Sequence, residues 1–123
     1  DSLRLHALHD ALDERLRRDD GSCWGWPVWP EQYRDPTHPA VQRFAEANAV
    51  QVEFHAWLQW LADTQLAEAQ SLARTLGMPI GLYGDYAVGV NPSGSETWSD
   101  QALYRKGAGV GAPPDALRFD QWY

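Results

Sequence analysis

The sequence predicts an α/β chain that is mostly helical and carries one buried strand, on three observations. Apolar residues recur at spacings of three and four over residues 2–18 and again over 50–76, the period of a helix face. A short apolar run, Ile80, Leu82 and Tyr83, follows the second helix after a tight Gly-Met-Pro turn, as a strand follows a helix in half of a βαβ unit. The length, 123 residues, is enough for one domain. Yet one parallel-type strand cannot make a sheet. The chain therefore reads as a slice of a larger α/β fold.

The elements follow in order. In the first helix Leu5, Leu8, Leu12 and Leu16 form the apolar stripe, with Ser2 as N-cap. Arg15, Arg17 and Arg18 sit where a helix C-terminus favours cations, and Asp19, Asp20 and Gly21 stop it. The stretch GSCWGWPVWPEQYRDPTHP is not helix, because Pro27, Pro30, Pro36 and Pro39 remove donors and bias the preceding residues toward extended backbone. Trp24, Trp26, Trp29 and Tyr33 order this long loop by packing, or receive a partner. Pro39 then opens a helix at a permitted position, with Val41, Phe44 and Ala45 on one side. The long helix from about Val50 to Leu76 buries Phe54, Trp57, Leu58, Leu61, Leu66, Ala69, Leu72, Ala73 and Leu76, and Gly77 caps it. A strand near 79–84 comes next, then turn chemistry broken by a helical turn over 96–104 begun at Ser95.

Composition excludes several function classes. The chain is 44% apolar and 22% charged, ordinary for a globular domain. Its net charge of −7 argues against a nucleic-acid partner, which needs a basic face. No run approaches the ~20 apolar residues of a membrane span. The lone cysteine, Cys23, excludes an internal disulfide framework and fits a reducing, cytoplasmic compartment.

Among possible chemical groups, the residues just after the strand come first, since α/β sites form at strand C-terminal ends. Asp85 stands there between Gly84 and Tyr86. It either orients a substrate hydroxyl or an arginine, or caps its turn by bonding local amides. Asp115, after Pro113 and Pro114, either shares a site with Asp85, as paired carboxylates do in glycosidases, or is a solvated turn residue. Trp24, Trp26 and Trp29 either stack on sugar rings or plug the loop onto the helices, each indole then needing a hydrogen-bond acceptor. Trp57 and Trp60 read as core packing. His6, His9, His38 and His55 show no metal spacing, and GAGVGAPP lacks the strand and helix of a phosphate-binding loop. No cofactor is implied.

Four motifs in register then carry a specific resemblance: WPEQYRDP, VEFHAWLQWLADTQL, GMPIGLYGDYAVGV and VGAPPD. In this order they resemble the bacterial 4-α-glucanotransferases, also called amylomaltases or disproportionating enzymes, of glycoside hydrolase family 77. The likeness runs from about Leu3 to Asp115. It implies a fragment of a (β/α)8 TIM barrel of the α-amylase clan, with residues 1–78 as a helical insertion between barrel strands 2 and 3. Residues 79–123 would be the third barrel strand and the loop after it. It further implies transfer of α-1,4-glucan segments between malto-oligosaccharides with retention. The catalytic Asp nucleophile and Glu acid/base would follow later strands, so no catalytic residue is expected in this chain and the isolated piece would be inactive. Asp85 matches an Asp that supports a glucose subsite, and Gly111, Pro113, Pro114 and Asp115 match a loop over the substrate groove. The family pattern GLYRDLAVGV differs here at Gly84 and Tyr86, and ALRFDQWY departs from it after Asp115.

The rival reading is a non-catalytic helical interaction or carbohydrate-binding module using loop 24–33. A lone barrel strand with open edges also predicts self-association of the piece.

Overall fold

A computed structural model of the chain describes residues 2–85, 87, 89–105 and 107. Five α-helices carry it among those residues: α1 (Ser2–Asp19), α2 (Glu31–Arg34), α3 (Pro39–Ala47), α4 (Ala49–Thr75) and α5 (Ser95–Ser99). A 3₁₀ turn, Trp26–Val28, precedes α2.

Helix α1 forms where the leucine spacing predicts it, and Leu8 and Leu12 on its inner face are buried. Ser2 is itself helical rather than a flanking cap. The expected non-helical loop instead contains the 3₁₀ turn and the single-turn α2. Its prolines allow this because Pro27 occupies a first-turn position and Pro30 lies outside the helix as its N-cap, where a missing N–H costs nothing. Pro39 opens α3, and the His38 imidazole Nδ1 caps it by accepting from the Ala40 N–H at 3.1 Å.

The C-terminus of α4 is closed by a Schellman arrangement. Gly77 N–H donates to the Arg74 carbonyl and Met78 N–H to the Ala73 carbonyl, each at 3.0 Å. Gly77 has φ +80°, a conformation glycine reaches without a side-chain penalty.

The core comprises Leu8, Leu12, Cys23, Trp26, Trp29, Val41 and Trp98, with Leu5, Leu16, Tyr33 and Phe44 packed around it. Burying each of the aliphatic members stabilises the fold by about 1.5–3 kcal/mol. Gly25 allows the Trp loop to approach the 91–94 turn, since a Cβ there would lie 2.6 Å from the Ser93 Cβ.

Two expectations fail here. The long helix does not bury the predicted stripe: of its residues only Ala73 is fully buried. Trp57 and Trp60, read as core, are 47% and 59% exposed. At 27 residues α4 is about 40 Å long, and it outreaches α1, the 18-residue helix it packs against. It is joined to α1 by Glu14 with Gln51 and His55, and its Val52 packs against the core.

The second correction concerns fold class. No strand occurs among the described residues, and the expected TIM-barrel strand near 79–84 is irregular, exposed chain. Ile80 is 72% and Tyr83 90% exposed. Two physical reasons account for this. Gly81 has φ +79°, which breaks an extended run. The Gln70 side chain also takes the ladder groups itself, accepting from Leu82 N–H at 2.6 Å and donating to the Ile80 carbonyl at 3.4 Å. The described structure is therefore helical, not α/β.

Candidate functional site

The most elaborate constellation lies where α1, the Trp loop and the segment leading into α5 meet. Helix α1 directs His9 inward, where the Leu8–Leu12 face is already buried. Its ring lies 5.2 Å from the Trp29 ring and 5.7 Å from that of Trp98, centroid to centroid. Its Nδ1 is 3.0 Å from Asp10 Oδ1 and its Nε2 is 3.1 Å from the Ser93 carbonyl. Both ring nitrogens thus lie within hydrogen-bond distance of an oxygen. Trp26 Nε1 donates to Thr97 Oγ1 at 3.0 Å, and Trp98 Nε1 donates to the Tyr33 carbonyl at 2.9 Å. Trp29 Nε1 is buried without a hydrogen-bond partner among the described residues.

Beside this joint a cleft of about 380 Å³ opens between α1, α4 and α5, lined by Ser2, Leu3, His6, Gln59, Ser95 and Glu96 among others. His6 Nδ1 and Ser95 Oγ are 2.7 Å apart, and His6 Nε2 lies 3.4 Å from Asp10 Oδ2. The polar wall is thus partly spent on itself. No group of three or more His, Cys, Asp or Glu suited to a metal occurs among the described residues. Cys23 is a buried free thiol in the core.

The residues singled out from sequence fall elsewhere. Asp85 lies on the exposed chain after Gly84 and makes no ion pair among the described residues. Pro114 and Asp115, with Gly111 and Pro113, lie outside the described residues, so nothing here brings them to Asp85. Trp26 and Trp29 are buried, whereas Trp24 is 54% exposed. Two of the three loop indoles therefore plug the loop onto the helices. Sequence reasoning missed His9, Thr97 and Trp98 as one unit. The available signal was Asn91-Pro92-Ser93-Gly94, a turn placed just before a tryptophan.

Comparison with known proteins defines the class first. The model of glycoside hydrolase family 77, described as 4-alpha-glucanotransferase, matches residues 1–120. Curated proteins of that name are similar to this chain. The one from Mycobacterium tuberculosis is 46% identical over 90 residues, covering 73% of this chain and 12% of that protein. The one from Haemophilus influenzae is 34% identical over 118 residues, 94% of this chain and 17% of that protein. The one from Thermus thermophilus is 30% identical over 96 residues, 73% and 19%. The chain belongs to the 4-alpha-glucanotransferase family, glycoside hydrolase 77. It spans between about an eighth and a fifth of the length of these relatives. No described helix is long and apolar enough to cross a membrane.

Electrostatics tie α1 to its neighbours. Burial alone would raise the Asp10 carboxyl, but the His9 hydrogen bond and the nearby His6, His9 and His55 hold it below its ordinary 3.8. Glu14 is held below 4.5 chiefly by its hydrogen bond with His55, and also by Gln51 and Arg18. Its Oε2 lies 3.1 Å from His55 Nε2 and accepts from Gln51 Nε2 at 2.6 Å, joining α1 to α4. Asp20 and Asp35 are lowered by backbone N–H donors from Ser22 and Thr37. Carboxylates lowered in the folded state contribute stability that is full above their unfolded values and is lost as pH falls through the folded ones. The urea midpoint should therefore drop between pH 6 and pH 3, and Asp10→Asn should flatten that dependence. Equal midpoints at the two pH values would contradict the network.

Proposed function

We propose that this chain works as part of a longer 4-α-glucanotransferase that moves α-1,4-glucan segments between malto-oligosaccharides with retention of configuration. The observation that carries the reading is the family match over residues 1–120. On this reading residues 1–78 are a helical insertion, and Asp85, Pro114 and Asp115 contact substrate. The nucleophile and the acid/base come from elsewhere in the longer protein, through a covalent glucosyl intermediate. A cytoplasmic setting belongs to the same reading and is supported by the buried free thiol of Cys23.

The exposed position of Asp85 supports a contact role rather than a structural one, since nothing described in the fold depends on its carboxylate. The test is transfer by the family-length protein carrying this chain, with maltotriose as substrate. Glucose and longer oligomers should appear, and Asp85→Asn should lower kcat/KM by about a hundredfold through lost substrate positioning. The isolated 123-residue chain should produce neither. Sustained turnover by the isolated chain, or an unaffected Asp85 variant, would refute this assignment.

Self-association of the isolated chain also belongs here. It is supported by the apolar side chains that α4 and the following segment leave exposed, among them Trp60, Leu66, Leu72, Leu76 and Ile80. Sedimentation velocity should show a mass that rises with concentration, and Leu66→Glu with Leu72→Glu should abolish the rise. A monodisperse monomer across the concentration range would count against it.

A further inference from the structure

The cleft between α1, α4 and α5 holds one arrangement that the transferase reading leaves unused. His6 and Asp10 stand four residues apart on α1 and so share a face. Across the cleft Ser95 begins α5, and its Oγ lies 2.7 Å from His6 Nδ1. Ser95 is held there from both sides. The Ser93 carbonyl lies 3.1 Å from His9 Nε2, and Thr97 Oγ1 accepts the Trp26 indole N–H. A serine hydroxyl on one imidazole nitrogen and a carboxylate beside the other is the order of groups that activates a serine nucleophile.

The tautomer of His6 follows from its surroundings. Its Nε2 is buried and makes no hydrogen bond among the described residues, while Asp10 Oδ2 lies 3.4 Å from it. A lone pair on Nε2 would face that carboxylate, whereas a proton there is attracted to it. The neutral ring therefore keeps its proton on Nε2, and Nδ1 accepts the Ser95 O–H. Asp10 stays ionised at neutral pH: against the burial that would raise it, the His9 hydrogen bond and the nearby histidines hold its carboxyl low. Ser95 Oγ also lies 3.4 Å from Glu96 Oε2, the longer and weaker of its two contacts. Ser95 is 7% exposed, so water competes little for its hydroxyl. Gln59 of α4 lines the same cleft, and its amide makes no hydrogen bond among the described residues.

We propose that Ser95 and His6, with Asp10 as positioning residue, form an acyl-transfer centre in this cleft that hydrolyses small uncharged carboxylic esters. The substrate class follows from the lining. Glu96 lines the cleft and no Lys or Arg does, which turns anions away, and Leu3 supplies an apolar wall for a short acyl chain. A volume of about 380 Å³ lies at the small end of ligand sites. Ser95 Oγ bonds to the acyl carbon as its proton passes to His6 Nδ1, and the Gln59 amide donates to the oxyanion. The bond from the acyl carbon to the alcohol oxygen then breaks, and the leaving alcohol takes the proton from His6. Water next attacks the acyl-serine. Its proton passes to His6 Nδ1 and on to Ser95 Oγ, releasing the carboxylic acid and the free serine. The Asp10 carboxylate holds the tautomer and favours the imidazolium formed in each step.

The experiment treats the 123-residue chain with p-nitrophenyl acetate, following nitrophenol release and mapping acetylated peptides by mass spectrometry. Release should saturate with ester, and the acetyl group should appear on Ser95 well before Ser2 and Ser99. Those two serines line the same cleft and neither is paired with an imidazole, so they are internal controls. His6→Gln keeps a side chain that can hydrogen-bond Ser95 but takes up no proton, and should slow acylation about a hundredfold. Asp10→Asn should lower kcat by a similar factor with KM unchanged, as expected for a group that acts only in the transition state. Near-ultraviolet circular dichroism of both variants should match the parent. The labelling of the parent chain decides the matter without any variant. No acetyl on Ser95, or Ser95 acetylated no faster than Ser2 and Ser99, would overturn the proposal. Folded His6→Gln or Asp10→Asn chains that react at the parent rate would do the same.

Discussion

The imidazole of His9 is placed among groups that come from three separate stretches of chain. Trp29 arrives from the proline-rich loop, Trp98 from α5, and the Ser93 carbonyl from the turn before it. The two indoles meet at 6.1 Å with their planes 63° apart, an edge-type contact, and the His9 ring packs tilted against both. A buried polar ring costs stability unless both nitrogens find partners, and here both do. Segments about twenty and more than eighty residues away from His9 are thereby fixed against α1. Neighbouring contacts close around that joint. Gly25 permits the loop to close on Ser93, Thr97 receives the Trp26 indole, and Tyr33 receives that of Trp98.

The joint also explains the uneven character of α4. Its first half is tied to α1 through Glu14, Gln51 and His55, and Val52 packs there against the core. Its second half extends past α1 and presents Trp60, Leu66 and Leu72 outward. What the second half does hold is local: Gln70 pins residues 80–82, and the Gly77 cap turns the chain back toward it. The same helix is thus integral at one end and merely a support at the other. In a chain spanning an eighth to a fifth of its relatives, that contrast bears directly on which surfaces the isolated piece leaves open.

Helix positions were legible because periodicity and capping are local. The leucine stripe of α1, Pro39 at the start of α3 and Gly77 after α4 each act within a turn or two of where they stand. What a periodic stripe packs against is not local, and this is why the α4 face was read as core. The apparent strand failed for a similar reason: Ile80, Leu82 and Tyr83 are apolar, but strand formation needs a partner ladder and a negative φ at Gly81. Prolines in the loop were read as excluding helix, although two of them sit at helix-start positions where they are tolerated. The family was legible because four motifs stand in register, whereas the contact between His9, Trp29 and Trp98 spans ninety residues with no spacing rule behind it.

The described architecture rests on α1, the Trp loop and α5 forming one rigid body. The most direct test is urea unfolding of the chain with His9 replaced by Ala. Losing both hydrogen bonds and leaving the Ser93 carbonyl unpaired should cost about 2–4 kcal/mol. The near-ultraviolet signal of the buried tryptophans should weaken even in the folded variant. A loss below about 0.5 kcal/mol, the range of ordinary surface substitutions, with an unchanged aromatic signal would contradict the account.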